Sequence, residues 1–221
     1  EDVGVEVHFG PKLYYSTEDP TDIIVLELLE DYQMRPKIEG LDVEHVKRSL
    51  KWLAQFHAAS MKYYELNGPY GDDYKDGIFA ESVEKLYQPF YDSYFDHYIE
   101  ALKKLKNGDR YAEKAEKWRG NLFNLILKAV KFDENSPLNV LCHGDMWSNN
   151  LMFKYSEDGS ISDLKTVDYQ LLFYGTPVKD IFNFMITSWR PDIKIKEFDN
   201  FISFYHENLA ENLKMLKYQK P

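Results

Sequence analysis

The chain has 221 residues and an ordinary globular composition, enough for one large domain or for two small lobes that share a cleft. Its formal net charge of −10 repels polyphosphate backbones and anionic membrane surfaces. A single cysteine, Cys142, rules out an internal disulfide, and the apolar runs are too short to span a bilayer. We therefore expect no nucleic-acid or membrane partner and predict a cytoplasmic protein.

The first part of the chain predicts strands followed by a helix. Val3 to Ser16 alternates around a Gly10-Pro11 turn signal, and Ile23 to Leu28 is apolar except for Glu27, so three short strands are expected. Asp42 has the character of an N-cap that opens a long helix. The positions expected on its buried face are Val46, Leu50, Leu53, His57, Met61 and Tyr64.

The middle of the chain predicts a loop and two helical segments. Gly68 to Gly77 is rich in Gly, Pro, Asp and Tyr, which is typical of a loop. Ser82 to Leu105 is expected to be helical with a break at Pro89, and Tyr111 to Phe132 is expected to be one helix.

The pattern then changes to strands and returns to helix. Asn139 to Cys142, Leu151 to Tyr155 and Leu164 to Asp168 have strand character, and a turn separates the last two. Two further helices are expected at about Val178 to Trp189 and Lys196 to Leu216. The sequence thus predicts an α+β protein with a mostly helical body and a small strand-loop-strand insert.

The loop His143-Gly-Asp-Met-Trp-Ser-Asn-Asn150 concentrates polar groups between two predicted strands. Asp145 and Asn150 project from it, and the strand that ends at Asp168 can bring a second carboxylate beside them. Two carboxylates and an amide oxygen suit Mg²⁺, with phosphate oxygens and water completing its shell. Protein kinases have the same Asp-to-Asn interval, but Gly144 stands where they have arginine, which favours small-molecule phosphotransferases.

Two longer motifs carry a family resemblance. HGDMWSNNLMF followed by VDYQLLFYGTPVKDIFNF resembles the ecdysteroid kinase-like family, within the aminoglycoside phosphotransferase and choline kinase superfamily. Upstream, IIVLELLEDYQM is similar to the hinge of that family, and GLDVEHVKRSLKWLAQFHAAS is similar to its first large helix. The resemblance covers nearly the whole chain and implies a protein kinase-like fold.

The resemblance also implies roles for individual residues. Asp145 would be the catalytic base, and His143, also placed in the catalytic set, would brace the catalytic loop. Asn150 and Asp168 would bind magnesium. The hinge that receives ATP would lie at Glu27, Leu28 and Leu29, with Glu27 contributing its backbone, and the acceptor would be a small-molecule alcohol, steroid-like or other.

The same resemblance implies two regions. Residues 1–30 would be a remnant of an N-terminal lobe sheet with the hinge, and residues 31–221 the helical C-terminal lobe. No GxGxxG or P-loop pattern occurs in the chain, so the phosphate-covering loop and its lysine are expected upstream of Glu1. The sequence does not determine oligomeric state.

Several alternatives remain open at this stage. The chain could be a catalytically inactive, kinase-like binding module, or a choline- or aminoglycoside-type kinase. His57 is expected to be a hydrogen-bonded core histidine, Asp180 structural and Cys142 a buried small hydrophobe. Two interpretations of Trp147 are equally favoured: it lines the acceptor pocket, or it packs as an anchor in the core. The tyrosines considered for a substrate cleft are Tyr87, Tyr91, Tyr94 and Tyr98.

Overall fold

The computed structural model describes residues 7–75, 84–130, 132–133, 136 and 138–219. The expected elements include positions that lie outside the described residues, among them Val3, Gly77, Ser82 and Lys131. Within the described residues, short antiparallel strand pairs alternate with helices, so the α+β expectation is confirmed. In this part of the chain no helix combines the length and the apolar character needed to cross a membrane.

The N-terminal part forms one hairpin. Strands β1 (Leu13–Thr17) and β2 (Ile23–Leu26) pair antiparallel. The strand expected before Gly10 is absent among residues 7–9. Phe9 packs edge-on against Trp52 and Phe56, and its carbonyl oxygen accepts a 2.9 Å hydrogen bond from the Thr166 N–H. The Gly10-Pro11 step is therefore not a hairpin turn.

Helix α1 (Val43–Asn67) begins as its sequence predicts. The Asp42 side chain accepts a hydrogen bond from the His45 backbone N–H, which satisfies one of the free donors of the first turn. The residues expected on the apolar face are buried apart from Tyr64, which is half-buried. The largest core cluster packs this face against the C-terminal helix and the central strands.

The middle helices differ from expectation in two places. Helix α2 (Glu84–Lys103) continues through Pro89 without the expected break, since the proline ring removes only one backbone donor and Phe95 and Ile99 still bury their side chains. The single helix expected at Tyr111 to Phe132 is two helices. These are α3 (Gly108–Glu116) and α4 (Leu122–Val130), separated at Gly120, whose φ is +69°.

Two small sheets surround the polar loop. Strand β4 (Val140–Cys142) pairs antiparallel with β7 (Phe173–Gly175). Strand β5 (Leu151–Tyr155) is central between β3 (Tyr32–Gln33) and β6 (Ile161–Thr166). Strands β3 and β7 were not expected, because each is only two or three residues long.

The C-terminal part is helical, as expected. Helix α5 (Val178–Ser188) is followed by the short α6 (Pro191–Lys194) and by α7 (Phe198–Met215), which packs along α1. Helix α5 begins three residues after β7 ends, so its first turn is held next to the loop that follows β4.

Candidate active site

The loop after β4 has a backbone shape that needs glycine. Gly144 has a φ of +82°, and a Cβ at this position would lie 1.9 Å from the Leu171 carbonyl oxygen. The loop that contains Asp145 therefore packs directly on the segment that follows Asp168. Only a residue without a side chain permits this approach.

Asp145 and Asn150 are in direct contact. The Asn150 amide nitrogen donates to the Asp145 carbonyl oxygen at 2.9 Å and to its carboxylate at 3.1 Å. The amide oxygen of Asn150 accepts no hydrogen bond from any described residue, so it remains available to a cation. A short 3₁₀ turn over Ser148–Asn150 sets the geometry of this contact.

Asp168 is brought to the same place by the β5–β6 pairing. The Val167 N–H donates to the Asn150 carbonyl oxygen at 3.1 Å, just beyond the Leu151–Thr166 pair. Asp168 has a φ of +65° and is exposed, and its carboxylate accepts a 3.3 Å hydrogen bond from Gln170. The three residues expected to converge thus lie at one end of a two-strand ladder.

His143 connects the two sides of this site. One ring nitrogen, Nε2, lies 3.1 Å from the Val167 carbonyl oxygen, and Nδ1 lies 3.4 Å from the Asp145 backbone N–H. These contacts require a proton on Nε2 and none on Nδ1. Burial lowers the pKa of His143, which favours this neutral form. Its side chain is fully buried, so its position is that of a bracing residue rather than one that touches substrate.

Asp180 lies beneath the loop, and its side chain is fully buried. Its carboxylate accepts from the backbone N–H groups of His143 (2.7 Å) and Gly144 (2.9 Å) and contacts His57 Nε2 at 3.1 Å. Burial alone would raise the pKa of Asp180, but the hydrogen bond and charge of His57 hold it below its ordinary value. The other His57 nitrogen lies 2.8 Å from the Tyr205 hydroxyl. The structural interpretation of Asp180 and His57 is consistent with these contacts.

His57, Cys142 and Asp180 place potential ligand atoms within 4.8 Å of one another. The Asp180 oxygens are already occupied, and the Cys142 thiol donates to the Thr176 carbonyl oxygen at 3.3 Å. Burial raises the pKa of this thiol, which disfavours the thiolate that metals bind. The cluster is accounted for by hydrogen bonding, and Cys142 is buried as expected.

At the predicted hinge, Glu27 makes contacts through both its backbone and its side chain. The Glu27 backbone N–H donates to the Lys12 carbonyl oxygen within the hairpin, and the Glu27 carboxylate pairs with Lys165 at 2.8 Å. The hydrogen bond from Lys165 lowers the pKa of Glu27. The contribution of the Glu27 backbone to nucleotide binding stays a prediction. The backbone N–H groups of Leu28 and Leu29 have no partner among the described residues and remain available to a nucleotide.

Lys165 was missed by the sequence reasoning. Its side chain is largely buried, lies over the Tyr32 ring and ties β6 to the end of β2, three residues before Asp168. No local signal marks this pair, because its members are 138 residues apart in the chain.

Comparison with known proteins agrees with the geometry. The family model described as the ecdysteroid kinase-like family matches residues 1–218, nearly the whole chain. No curated protein gives a significant match. Since the family match extends over both the hairpin and the loop that holds Asp145, the chain belongs to the ecdysteroid kinase-like family.

Proposed function

We propose that the protein transfers the γ-phosphoryl group of ATP to a hydroxyl of a small molecule. Membership of the ecdysteroid kinase-like family supports a kinase-like activity, and the family description suggests a small-molecule acceptor. The observation that carries the proposal is the hydrogen bond from the Asn150 amide to the Asp145 carboxylate, made at the strand end where Asp168 is exposed. An ecdysteroid hydroxyl is the acceptor suggested by the family description.

The donor set fits magnesium. The Asn150 amide oxygen and the exposed Asp168 carboxylate are hard oxygen ligands, and neither is consumed by strong hydrogen bonds from described residues. When bound, Mg²⁺ would supply positive charge that offsets the negative charge of the ATP phosphates. Asn150 and Asp168 would hold it from the ends of β5 and β6.

Asp145 would act on the acceptor. Its carboxylate keeps one oxygen bonded to Asn150, and this contact fixes the orientation of the other oxygen. In that orientation it would accept the proton of the acceptor hydroxyl as the new oxygen–phosphorus bond forms and the bond to the ADP leaving group breaks. Positioning of this kind supplies much of the catalysis in phosphoryl transfer.

Replacing Asp145 with Asn tests the proposal. Asparagine keeps an oxygen for the Asn150 contact but cannot accept the proton, so turnover should fall by roughly 10² to 10⁴. The measurement is ATP consumption with an ecdysteroid acceptor, and the control is the melting temperature, which should not change. Wild-type turnover in a folded D145N variant would contradict the assignment.

A magnesium titration separates this proposal from a catalytically inactive binding module. Calorimetry with ATP should give an affinity that depends on Mg²⁺ and that weakens in Asp168→Asn. A protein that binds an alcohol but shows no magnesium-dependent ATP affinity would favour the binding module.

A further inference from the structure

An aromatic cavity lies beside β7, apart from the polar groups of the active site. Its volume is about 170 Å³. Four rings contribute to its walls, with one carboxylate and one ammonium group. These residues are Tyr64, Tyr70, Phe132, Tyr174, Asp72 and Lys75.

The rings form a connected cluster around Tyr174, with Tyr64 stacked on it and the other two rings tilted. Tyr64 lies parallel to Tyr174 with centroids 4.9 Å apart and an interplanar angle of 4°. The centroids of Tyr70 and Phe132 are 5.0 Å and 5.6 Å from that of Tyr174. Tyr70 is fixed by a 2.9 Å hydrogen bond from its hydroxyl to the Ser60 carbonyl oxygen.

The four rings are only half-buried, so they retain ring surface that their neighbours do not cover. They come from α1, the loop after it, the segment after α4, and β7. Burial raises the pKa values of the Tyr70 and Tyr174 hydroxyls, so both rings stay uncharged near neutral pH.

The cavity is close to the candidate catalytic residue through the β4–β7 pair. Tyr174 is directly opposite Leu141, and the two strands are about 5 Å apart. Leu141 precedes Asp145 by four residues, which can span at most about 14 Å. The backbone of Asp145 therefore lies within about 20 Å of Tyr174.

The chemistry of the walls favours an uncharged ring. Asp72 and Lys75 carry opposite charges, so these two side chains give the wall no net charge, and the lysine ammonium opposes the attraction that ring faces have for a cation. The flat ring faces make extensive van der Waals contact with flat or cyclic groups. A cavity of about 150 Å³ holds benzene, so this one has room for about one ring.

We propose that this cavity binds one uncharged ring of the acceptor alcohol and thereby directs a hydroxyl at the other end of the molecule toward Asp145. That the bound molecule is the phosphoryl acceptor depends on the proposed function; that the cavity binds an uncharged ring does not. The preference for cyclic over linear acceptors would then be set by Tyr174 and the rings around it.

The first test compares 1,4-cyclohexanedimethanol, 1,8-octanediol and choline by calorimetry without nucleotide. The two diols have the same numbers of carbons and hydroxyls and differ in the ring, while choline adds a positive charge. The ring diol should bind about two- to tenfold more tightly than the linear diol, because the linear chain loses more conformational freedom on binding and covers less of the flat ring faces. Equal affinities, tighter binding of choline, or binding of none of the three would overturn the proposal.

The second test uses Tyr174→Leu with Tyr111→Leu as its control. Leucine keeps an apolar side chain at β7 but removes the flat ring face, whereas Tyr111 is an exposed residue of α3 outside the cavity. Thermal melts establish that both variants fold. Tyr174→Leu should weaken binding of ecdysone and of the ring diol about two- to tenfold, as loss of the contacts of one ring predicts, and Tyr111→Leu should leave it unchanged.

Two further readouts separate this inference from the proposed function. Magnesium-dependent ATP affinity should be the same in Tyr174→Leu and in wild type, because the cavity does not hold the nucleotide. Loss of ring binding in Tyr174→Leu without any phosphoryl transfer by wild type would support the cavity and contradict the kinase. Normal ring binding in Tyr174→Leu, with transfer intact in wild type, would contradict the cavity alone. If Tyr174→Leu does not fold, Tyr70→Leu replaces it, with the same expected result.

Discussion

Two aspartates close to the same loop are held in opposite ways. Asp180, at the base of the loop, is fully buried, and its oxygens bind His143, Gly144 and His57. Asp168, at the rim, is exposed and accepts one long hydrogen bond. A buried carboxylate that is hydrogen-bonded through both oxygens fixes the backbone, whereas an exposed carboxylate with few hydrogen bonds is available to a cation. Burial and partners, rather than residue type, separate the structural role from the proposed metal-binding role.

The largest expected effect is the loss of unfolding free energy when Asp180, at the base of the loop, is replaced. Asp180→Ala leaves two backbone N–H groups and His57 without their partner in a buried space, which should cost about 3 to 5 kcal/mol of unfolding free energy. Asp168→Asn keeps a residue type that tolerates the φ of +65° at this exposed position, so it should change stability by no more than about 0.5 kcal/mol. Urea unfolding of both variants measures the difference. Equal losses of unfolding free energy would mean that Asp180 and Asp168 contribute equally to stability, which would contradict the comparison.

The next largest effect is a loss of folding stability when Gly144, in the loop between Asp180 and Asp168, is replaced. Gly144 and Gly159 have nearly equal φ values, +82° and +83°, but a Cβ at Gly159 meets nothing within 4 Å. Gly144→Ala should therefore be about 1 to 3 kcal/mol less stable than Gly159→Ala, since only the first adds a clash with the Leu171 carbonyl.

Both alanine variants carry the same backbone strain from a positive φ. The difference between their unfolding free energies, measured by thermal or urea unfolding, therefore reports the clash with the Leu171 carbonyl oxygen. Gly144→Ala should also reduce turnover, because the loop that holds Asp145 must move away from Leu171. A Gly144→Ala variant as stable and as active as Gly159→Ala would show that the loop tolerates a different packing.

The smallest expected effect is a pH dependence. Burial lowers the pKa of His143 in the folded state, so the unfolded chain binds more protons just below its ordinary value of 6.5. The stability contributed by neutral His143 is thus complete above pH 6.5 and is lost as pH falls through the folded-state pKa. The slope should reach at most about 1.4 kcal/mol per pH unit.

The pKa of Asp180 is also lowered, but from an ordinary value of 3.8, so its contribution is lost only in more acidic solution. Unfolding free energies measured from pH 8 to pH 4 in wild type and in His143→Gln separate the two groups. The slope just below pH 6.5 should disappear in the variant. A slope that persists there would assign it to another group.

Much of the candidate site could be predicted from local sequence. The interval from Asp145 to Asn150 and the strand end at Asp168 are close enough in the chain for pairing rules to bring them together. The boundaries of β5 and the N-cap of α1 also agree with the structure, because they depend on alternation and on one capping side chain. The break expected at Pro89 was wrong because tertiary packing maintained the helix.

Contacts between distant segments could not be predicted in the same way. The Lys165–Glu27 pair joins β6 to the hinge, and the aromatic cavity draws on four separate segments. The sequence instead drew attention to the tyrosines of α2. Of these, Tyr94 and Tyr98 are exposed, and Tyr91 packs against Phe123.

The sequence by itself determined the mixed helix and strand character, the long helices α1 and α7, the strand β5 and the residue types that could hold a divalent cation, because these depend on periodicity and on short intervals along the chain. The tertiary structure alone decided which aspartate is buried and hydrogen-bonded through both oxygens, how His143 connects Asp145 to Val167, and where aromatic rings meet beside β7. The reason is physical: burial and hydrogen-bond partners are set by the packing of segments far apart in sequence, and no local pattern encodes that packing.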